Sequence, residues 1–366
     1  MNNKLDKEYY GIGVMSGTSL DGVDIAFCHY FKQNEKWNYK LIHFHTYDYP
    51  SAIKSEIQKL TKNPSLPFED FSITLGTVYS DLVLIFLAKF SIDISLVHFI
   101  ACHGQTIYHN PAEKKTIQIG DGKTIAYRTN ICTINDFRSL DVSLGGQGAP
   151  LVPIGDFHFF YDYALCVNLG GICNITIQNE NEIVTAFDVC PCNLLLNYYA
   201  NKLSLEFDKG GAIAKSGEIN DALLKALNNH PYYKKQAPKS LDAQEVLRSF
   251  LPIINSHQII EADVLHTLCV HIAVQLKNVI DAISFKNKTM KMLLAGGGAL
   301  NLFLVKCIKE ITKIEIVDLG KQEIEAKEAI IFGLLGVLKL ENEVNCLKIV
   351  TGASADNCGG VIYYPE

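Results

Sequence analysis

Three short glycine turns follow apolar runs in this chain of 366 residues: Ser16-Gly17-Thr18-Ser19-Leu20-Asp21-Gly22, Asn168-Leu169-Gly170-Gly171 and Ala295-Gly296-Gly297-Gly298-Ala299-Leu300-Asn301. A glycine turn at a strand end lets backbone N–H groups approach a phosphate closely. A helix starting directly after such a turn, as expected after Gly298, adds its dipole. Taken singly, each is as well read as an ordinary tight turn. Neither the P-loop spacing nor G-x-G-x-x-G occurs, so both of those nucleotide folds are excluded. Three turns spread over both halves of the chain suit a nucleotide clamped between two domains.

Four polar residues stand out beside these turns. His103 ends an apolar run in Cys102-His-Gly-Gln-Thr106, where a satisfied loop histidine and a catalytic one are both open readings. Arg138 is one of only three arginines, with Arg128 and Arg248, in a lysine-rich chain. A planar fork for a carboxylate or phosphate is the task that lysine does poorly, and a surface ion pair is the alternative. Asp188 ends the apolar stretch Ile183 to Phe187 and precedes a proline turn. A partly desolvated carboxylate there can act as a general base, but residue type and position alone favour a cap for the helix expected from Asn193. Glu328 lies in an apolar helix beside Lys327, the usual setting of an exposed glutamate.

The elements that must position these residues read as follows. Tyr10 to Met15, Val23 to Phe31 and Lys40 to Tyr47 are strands, followed by helices at Ala52 to Leu60 and Phe68 to Phe90. Val97 to Cys102, Thr116 to Ile119 and Ile131 to Asn135 are further strands. After the glycine-rich loop Leu144 to Pro150 the opening pattern recurs, with strands at Ala164 to Asn168, Cys173 to Gln178 and Ile183 to Asp188. Helices are expected at Asn193 to Leu203, Asn220 to Asn229, Ala243 to Phe250 and Ala262 to Ile283. The chain closes with strand Met292 to Ala295, helix Asn301 to Ile311, strand Ile314 to Val317 and helix Glu323 to Leu340. This is an α/β protein of two similar halves with a cleft between them.

Composition narrows the function. About 150 residues per domain gives two domains here. The charge is −6 with 33 basic residues and no basic block, which argues against a nucleic-acid partner. The most apolar stretch, Ala329 to Leu338, is shorter than the roughly 20 residues of a membrane span. The start of the chain lacks the apolar core of a secretion signal, so a cytoplasmic location is expected. The 11 cysteines, mostly inside apolar patterns, read as buried thiols in a reducing compartment. Cys190 and Cys192 have no second pair at zinc spacing.

Several motifs occur in a fixed order: GVMSGTSLDGVD at 13–24, CHGQT at 102–106, IQIGDG at 117–122, NDFR at 135–138, GGQGAPLVP at 145–153, NLGGICNIT at 168–176, FDKGGAIAKSG at 207–217 and AGGGALN at 295–301. Together they resemble the anhydro-N-acetylmuramic acid kinase family of the actin-like, sugar-kinase and Hsp70 superfamily, over nearly the whole chain. The resemblance implies two RNase H-like (actin-like ATPase) domains around a central cleft. Their expected limits are 1–133, with 350–366 packed on it, and 134–349. It implies ATP with Mg2+, held by Ser16, Gly17, Thr18, Ser19, Leu20, Asp21, Gly22 and Val23, by Asn168, Gly170 and Gly171, and by Gly296, Gly297, Gly298 and Asn301. It implies hydrolytic opening of the 1,6-anhydro ring and phosphorylation of O6 in cell-wall recycling, with Asp188 as the base in place of the cap. Thr106, Arg138 and Glu328 would line the sugar pocket, and a homodimer is suggested. The family's FDxGPGN pattern reads Phe187-Asp-Val-Cys-Pro-Cys-Asn193 here. Cysteine would be strained at a positive φ, and a thiol aimed at the sugar would narrow its pocket. A kinase for another amino sugar and a non-catalytic ATP-binding protein are the rival readings.

Overall fold

The computed structural model describes residues 7–17, 20, 22–33, 35–179, 182–237, 239–283, 290–317 and 319–365. Its strands are β1 (Glu8–Ser16), β2 (Val23–Gln33), β3 (Lys36–Tyr47), β4 (Phe99–Cys102), β5 (Gln105–Asn110), β6 (Lys115–Ile119), β7 (Thr133–Asn135), β8 (Leu165–Leu169), β9 (Ile172–Gln178), β10 (Ile183–Pro191), β11 (Lys291–Ala295), β12 (Glu315–Val317) and β13 (Val361–Tyr363). The chain divides into two compact units. One runs up to Phe159 and resumes at Ala326; the other spans Phe160–Glu325.

The first unit is built on a mixed sheet of order β13-β7-β4-β1-β2-β3. β1, β2 and β3 form an antiparallel meander, while β4 and then β7 run parallel to β1 on its other side. β1 is buried on both faces from Gly11 to Ser16, as a central strand must be. One face is covered by the helix Glu69–Lys89 through Tyr79, Val83 and Phe86. The other carries the helix Lys321–Leu340, which contributes Ala329, Phe332 and Leu335 to a second core layer. A side chain at Gly13 would collide with the Ala329 carbonyl, so glycine in β1 is what lets that helix lie flat on the sheet, one residue from Glu328.

The second unit repeats the plan. Its sheet has the order β10-β9-β8-β11-β12, with β8, β9 and β10 antiparallel and β11 and β12 parallel to β8. The long helix Glu261–Asp281 packs its apolar face, including Leu265, Ile272 and Leu276, into this unit's core. The recurring strand–turn–strand pattern is therefore one strand order used twice. In both units the glycine turns leave the carboxyl ends of parallel strands, where α/β sheets bind their ligands.

Three expectations change. The division falls at Phe159/Phe160 and Glu325/Ala326 rather than at 133/134 and 349/350. Ile134 pairs with Ala101 inside the first sheet, and the helix beyond Ala326 packs on that sheet, so both segments stay with it. β5, which pairs with the expected strand β6, and the helix Gly122–Thr129, which the Asp121 carboxylate caps through the Thr124 N–H at 2.7 Å, lack a periodic signal in the sequence. Finally, among the described residues Glu69–Lys89, rather than Ala329 to Leu338, is the helix long and apolar enough by composition to span a bilayer. Its Leu75, Tyr79, Val83 and Phe86 are fully buried in the first unit's core.

Candidate active site

In the first unit the turn after β1 is anchored from below. The Ser16 hydroxyl donates to the Gly104 carbonyl at 2.8 Å and shares a 2.8 Å hydrogen bond with the Tyr79 hydroxyl. Tyr79 in turn meets the Tyr49 hydroxyl at 2.9 Å, and Gln105 Nε2 donates to the Gly17 carbonyl at 3.2 Å. These groups are buried, so each bond is made in a low dielectric and fixes the turn's entry. Leu20 sits at φ 58° with its side chain in the core, and Val23 is fully buried in β2. Both anchor the turn through apolar packing; what they add toward a phosphate is limited to backbone. Thr18, Ser19 and Asp21 lie outside the described residues.

Beside it, β4 delivers His103, whose backbone N–H donates to the Val14 carbonyl at 3.0 Å. The His103 ring accepts at Nε2 from Arg138 Nε (3.0 Å) and has Nδ1 3.1 Å from the Ser16 carbonyl. Burial, then the Arg138 charge, drives its pKa down to about 3. His103 is thus a neutral, oriented ring that holds Arg138, not an acid–base group at neutral pH. Arg138 Nη1 also donates to the Gly148 carbonyl at 2.5 Å. Burial lowers its pKa to about 10, and the nearby Glu328 charge opposes that shift, so the guanidinium stays a cation. Gly148 is itself held: its N–H donates to the Asp141 carboxylate at 2.7 Å. The other Asp141 oxygen accepts from Thr351, Asn357 and Cys346. Asp141 therefore ties the glycine-rich loop to the C-terminal segment, a role that the sequence does not signal. Glu328 is half-buried rather than the exposed glutamate expected, and its neighbour Lys327 is buried in a 2.6 Å ion pair with Asp156. Thr106 lies on β5, partly exposed, with its hydroxyl accepting from Gln118 Nε2 at 3.2 Å.

In the second unit, β8 and β11 run parallel with Asn168 opposite Ala295, so their two glycine turns emerge together. Gly296 adopts φ 78°, and a Cβ there would strike the Asn168 amide oxygen. Asn193 completes the cluster. Its Nδ2 donates to the Leu169 carbonyl at 2.8 Å, and its backbone N–H to the Gly170 carbonyl at 3.0 Å. The helix after the third turn begins at Leu302, not directly after Gly298. The Asn301 side chain caps it by accepting from the Leu304 N–H at 3.0 Å, which occupies the group expected to face a nucleotide.

Asp188 lies on β10, an edge strand of the sheet, opposite Asn174. It does not cap the helix Asn193–Lys202, which starts without a side-chain cap. Instead, Tyr232, Lys239 and Leu241 lie beside it. The Asp188 N–H donates to the Lys239 carbonyl (3.0 Å), the Tyr232 hydroxyl donates to the Asp188 carbonyl (2.5 Å), and the Leu241 N–H donates to Asp188 Oδ2 (2.9 Å). Oδ1 has no partner among the described residues. Burial raises this carboxyl to about pKa 6, with the Leu241 N–H pulling the other way. Such a group is ionised at pH 7 yet basic enough to take a proton. Cys190 and Cys192 do not adopt positive φ. Both are fully buried in the unit's core, and Cys190 pairs with Cys173 across the β10–β9 ladder.

A family model described as "Anhydro-N-acetylmuramic acid kinase" matches residues 8–365. A protein of Francisella tularensis subsp. novicida (strain U112) with that name is 34% identical over 368 residues, covering 94% of this chain and 96% of its own. One of the same name from Vibrio cholerae serotype O1 is 33% identical over 374 residues, covering 99% and 100%. Among solved structures, component A of (R)-2-hydroxyglutaryl-CoA dehydratase from Acidaminococcus fermentans aligns over 89% of this chain and 96% of its own, at 9% identity and a TM-score of 0.47. On the whole-length match and the identity to these relatives, the chain belongs to the anhydro-N-acetylmuramic acid kinase family.

Proposed function

We propose that this chain is an ATP-dependent sugar kinase. It opens 1,6-anhydro-N-acetylmuramic acid with water and phosphorylates the freed O6, giving N-acetylmuramate 6-phosphate and ADP in murein recycling. The observation that carries the reading is Asp188: a half-buried carboxylate, raised to about 6, with one oxygen anchored and one open. In this role Oδ1 takes the proton from a water attacking the anomeric carbon, as the base of an inverting glycosidase does. O6 leaves the anomeric carbon and attacks the γ-phosphoryl group in line. Arg138, oriented by His103 and Gly148, and Glu328 and Thr106 bind the polar groups of the sugar. The turns Ser16–Gly22, Asn168–Gly171 and Gly296–Gly298 present backbone N–H groups to the nucleotide phosphates. Mg2+ is assigned to the nucleotide, since it keeps several waters and leans on substrate phosphates. The described residues contain no cluster of three ligating side chains. A cytoplasmic location and a homodimer complete the proposal.

The test is product analysis in 18O-water with ATP and the anhydro-sugar. The expected products are ADP and the 6-phosphosugar in equal amounts, with 18O at the anomeric oxygen. Phosphorylation of open-ring amino sugars without any turnover of the anhydro form would overturn the reading.

A further inference from the structure

A cavity of about 360 Å3 lies in the second unit, within the range of roughly 300–1,000 Å3 typical of small-molecule sites. Its lining takes Phe187 and Val189 from β10. Phe187 and Asp188 are successive positions of the ladder and so face opposite sides, while Val189 is the extra residue of a bulge between Asp188 and Cys190. Val279 and Gln275, from the helix Glu261–Asp281, and the two lysines Lys235 and Lys239 also line it. Among the described residues no aspartate or glutamate does. Lys235 reaches Glu245 at 3.5 Å on the outside, but Lys239 has no ion-pair partner among the described residues. The Lys239 ammonium instead lies 4.6 Å from the centre of the Tyr232 ring, 5.9 Å from Tyr233 and 6.0 Å from Phe187. Burial lowers its pKa.

The inner wall is polar and ordered. Asn228 Oδ1 lies 2.7 Å from His271 Nδ1 and accepts from Gln275 Nε2 at 2.7 Å, while His271 Nε2 lies 2.7 Å from the Tyr233 hydroxyl. That network uses the Asn228 oxygen and leaves its Nδ2 donors without a partner among the described residues. The cavity thus combines an apolar floor, aromatic rings, one uncompensated cation and a spare amide donor. A sugar suits it poorly, because an apolar floor offers its hydroxyls little. A metal ion does not suit it, because the cations repel it and no carboxylate lines it.

We propose that this cavity binds a small carboxylic acid with a flat apolar body, an aryl or bicyclic aryl carboxylate by class. The apolar body rests on Phe187, Val189 and Val279, and the carboxylate pairs with Lys239. The site is separate from the Asp188 carboxyl face, so ligand and substrates bind together. This inference stands on the cavity and not on the sugar-kinase reading.

The probe is 2-naphthoate, titrated into the full chain by calorimetry and by saturation-transfer NMR, with its neutral analogue 2-naphthalenemethanol alongside. One-to-one binding is expected. The Lys239→Met variant and the neutral analogue should each weaken binding by about fivefold or more, the worth of one partly exposed charge pair. Saturating ATP and sugar should leave the affinity within about twofold of its original value. Val279→Trp, which fills the space, should abolish binding; Lys239→Met keeps the test decisive if that variant misfolds. Absence of binding at millimolar probe, equal affinity for the neutral analogue, or an unchanged affinity in Lys239→Met would each overturn the proposal. Loss of binding on adding the anhydro-sugar would show that the probe occupies the sugar site instead, and would overturn it too.

Discussion

Arg138 and Asp188 are both charged, both half-buried and both held by backbone groups, yet they are held in opposite ways. Arg138 is gripped through Nε by His103 and through Nη1 by Gly148, and Gly148 is secured in turn by the fully buried Asp141. Among the described residues Asp188 has a single hydrogen bond to its carboxylate, and burial leaves its charge under-compensated. A group that must recognise a fixed feature of a ligand gains from being locked, because the ordering cost is met on folding. A group that must accept a proton loses basicity with each donor it satisfies. In the proposed function, the difference suits the first unit's charged residue to binding and the second's to proton transfer.

The largest effect should come from removing the proton acceptor. Asp188→Asn keeps the shape and the Leu241 contact, and should lower kcat by about 10²–10⁴-fold with the ATP KM little changed, read by ADP release. Arg138→Lys should cost about 10–100-fold in kcat/KM for the sugar, because an ammonium cannot hold His103 and Gly148 and still present a fork. If these two variants lose kcat and KM in the same proportions, the division of labour is wrong.

Two smaller effects sharpen the comparison. Cys190→Gly should destabilise the protein by about 1–2 kcal/mol through a lost core side chain and added chain entropy. Its turnover should stay within about twofold of wild type, since the thiol is fully buried in the unit's core. A large change in sugar specificity would instead place that thiol in the sugar pocket. Tyr79→Phe removes the hydroxyl under Ser16 and should cost about 1 kcal/mol of stability and raise the ATP KM a few-fold, leaving the sugar KM alone. Denaturant titration and initial rates with each substrate separate these outcomes.

Much of the plan was legible in the sequence because it is written in apolar runs and glycines. β1, β2, β8 and β9 are such runs, and each hairpin carries its glycine turn. The unit boundaries were not, since no change of composition marks Phe159 or Glu325 and the deciding contacts, such as Ile134 with Ala101, are long-range. Side-chain direction was also hidden. Residue type cannot say that Leu20 and Val23 point into the core, that Asn301 is consumed as a cap, or that both cysteines of the 190–192 turn face inward. The cap reading of Asp188 failed for the same reason: its partner, Leu241, lies 53 residues away in sequence. Tyr79 and Asp141, which hold the two loops of the first unit, look like ordinary helix residues in the sequence.

The central claim is that the open, under-compensated carboxylate of Asp188 is the base, and the pH dependence of kcat/KM for the anhydro-sugar tests it most directly. The ionised form is the active one, so the rate should fall about tenfold per pH unit below a midpoint near 6 and be level above about 7, and this acid limb should vanish from the residual rate of Asp188→Asn. A midpoint at the ordinary carboxylate value near 4, or the same limb retained in Asp188→Asn, would contradict it.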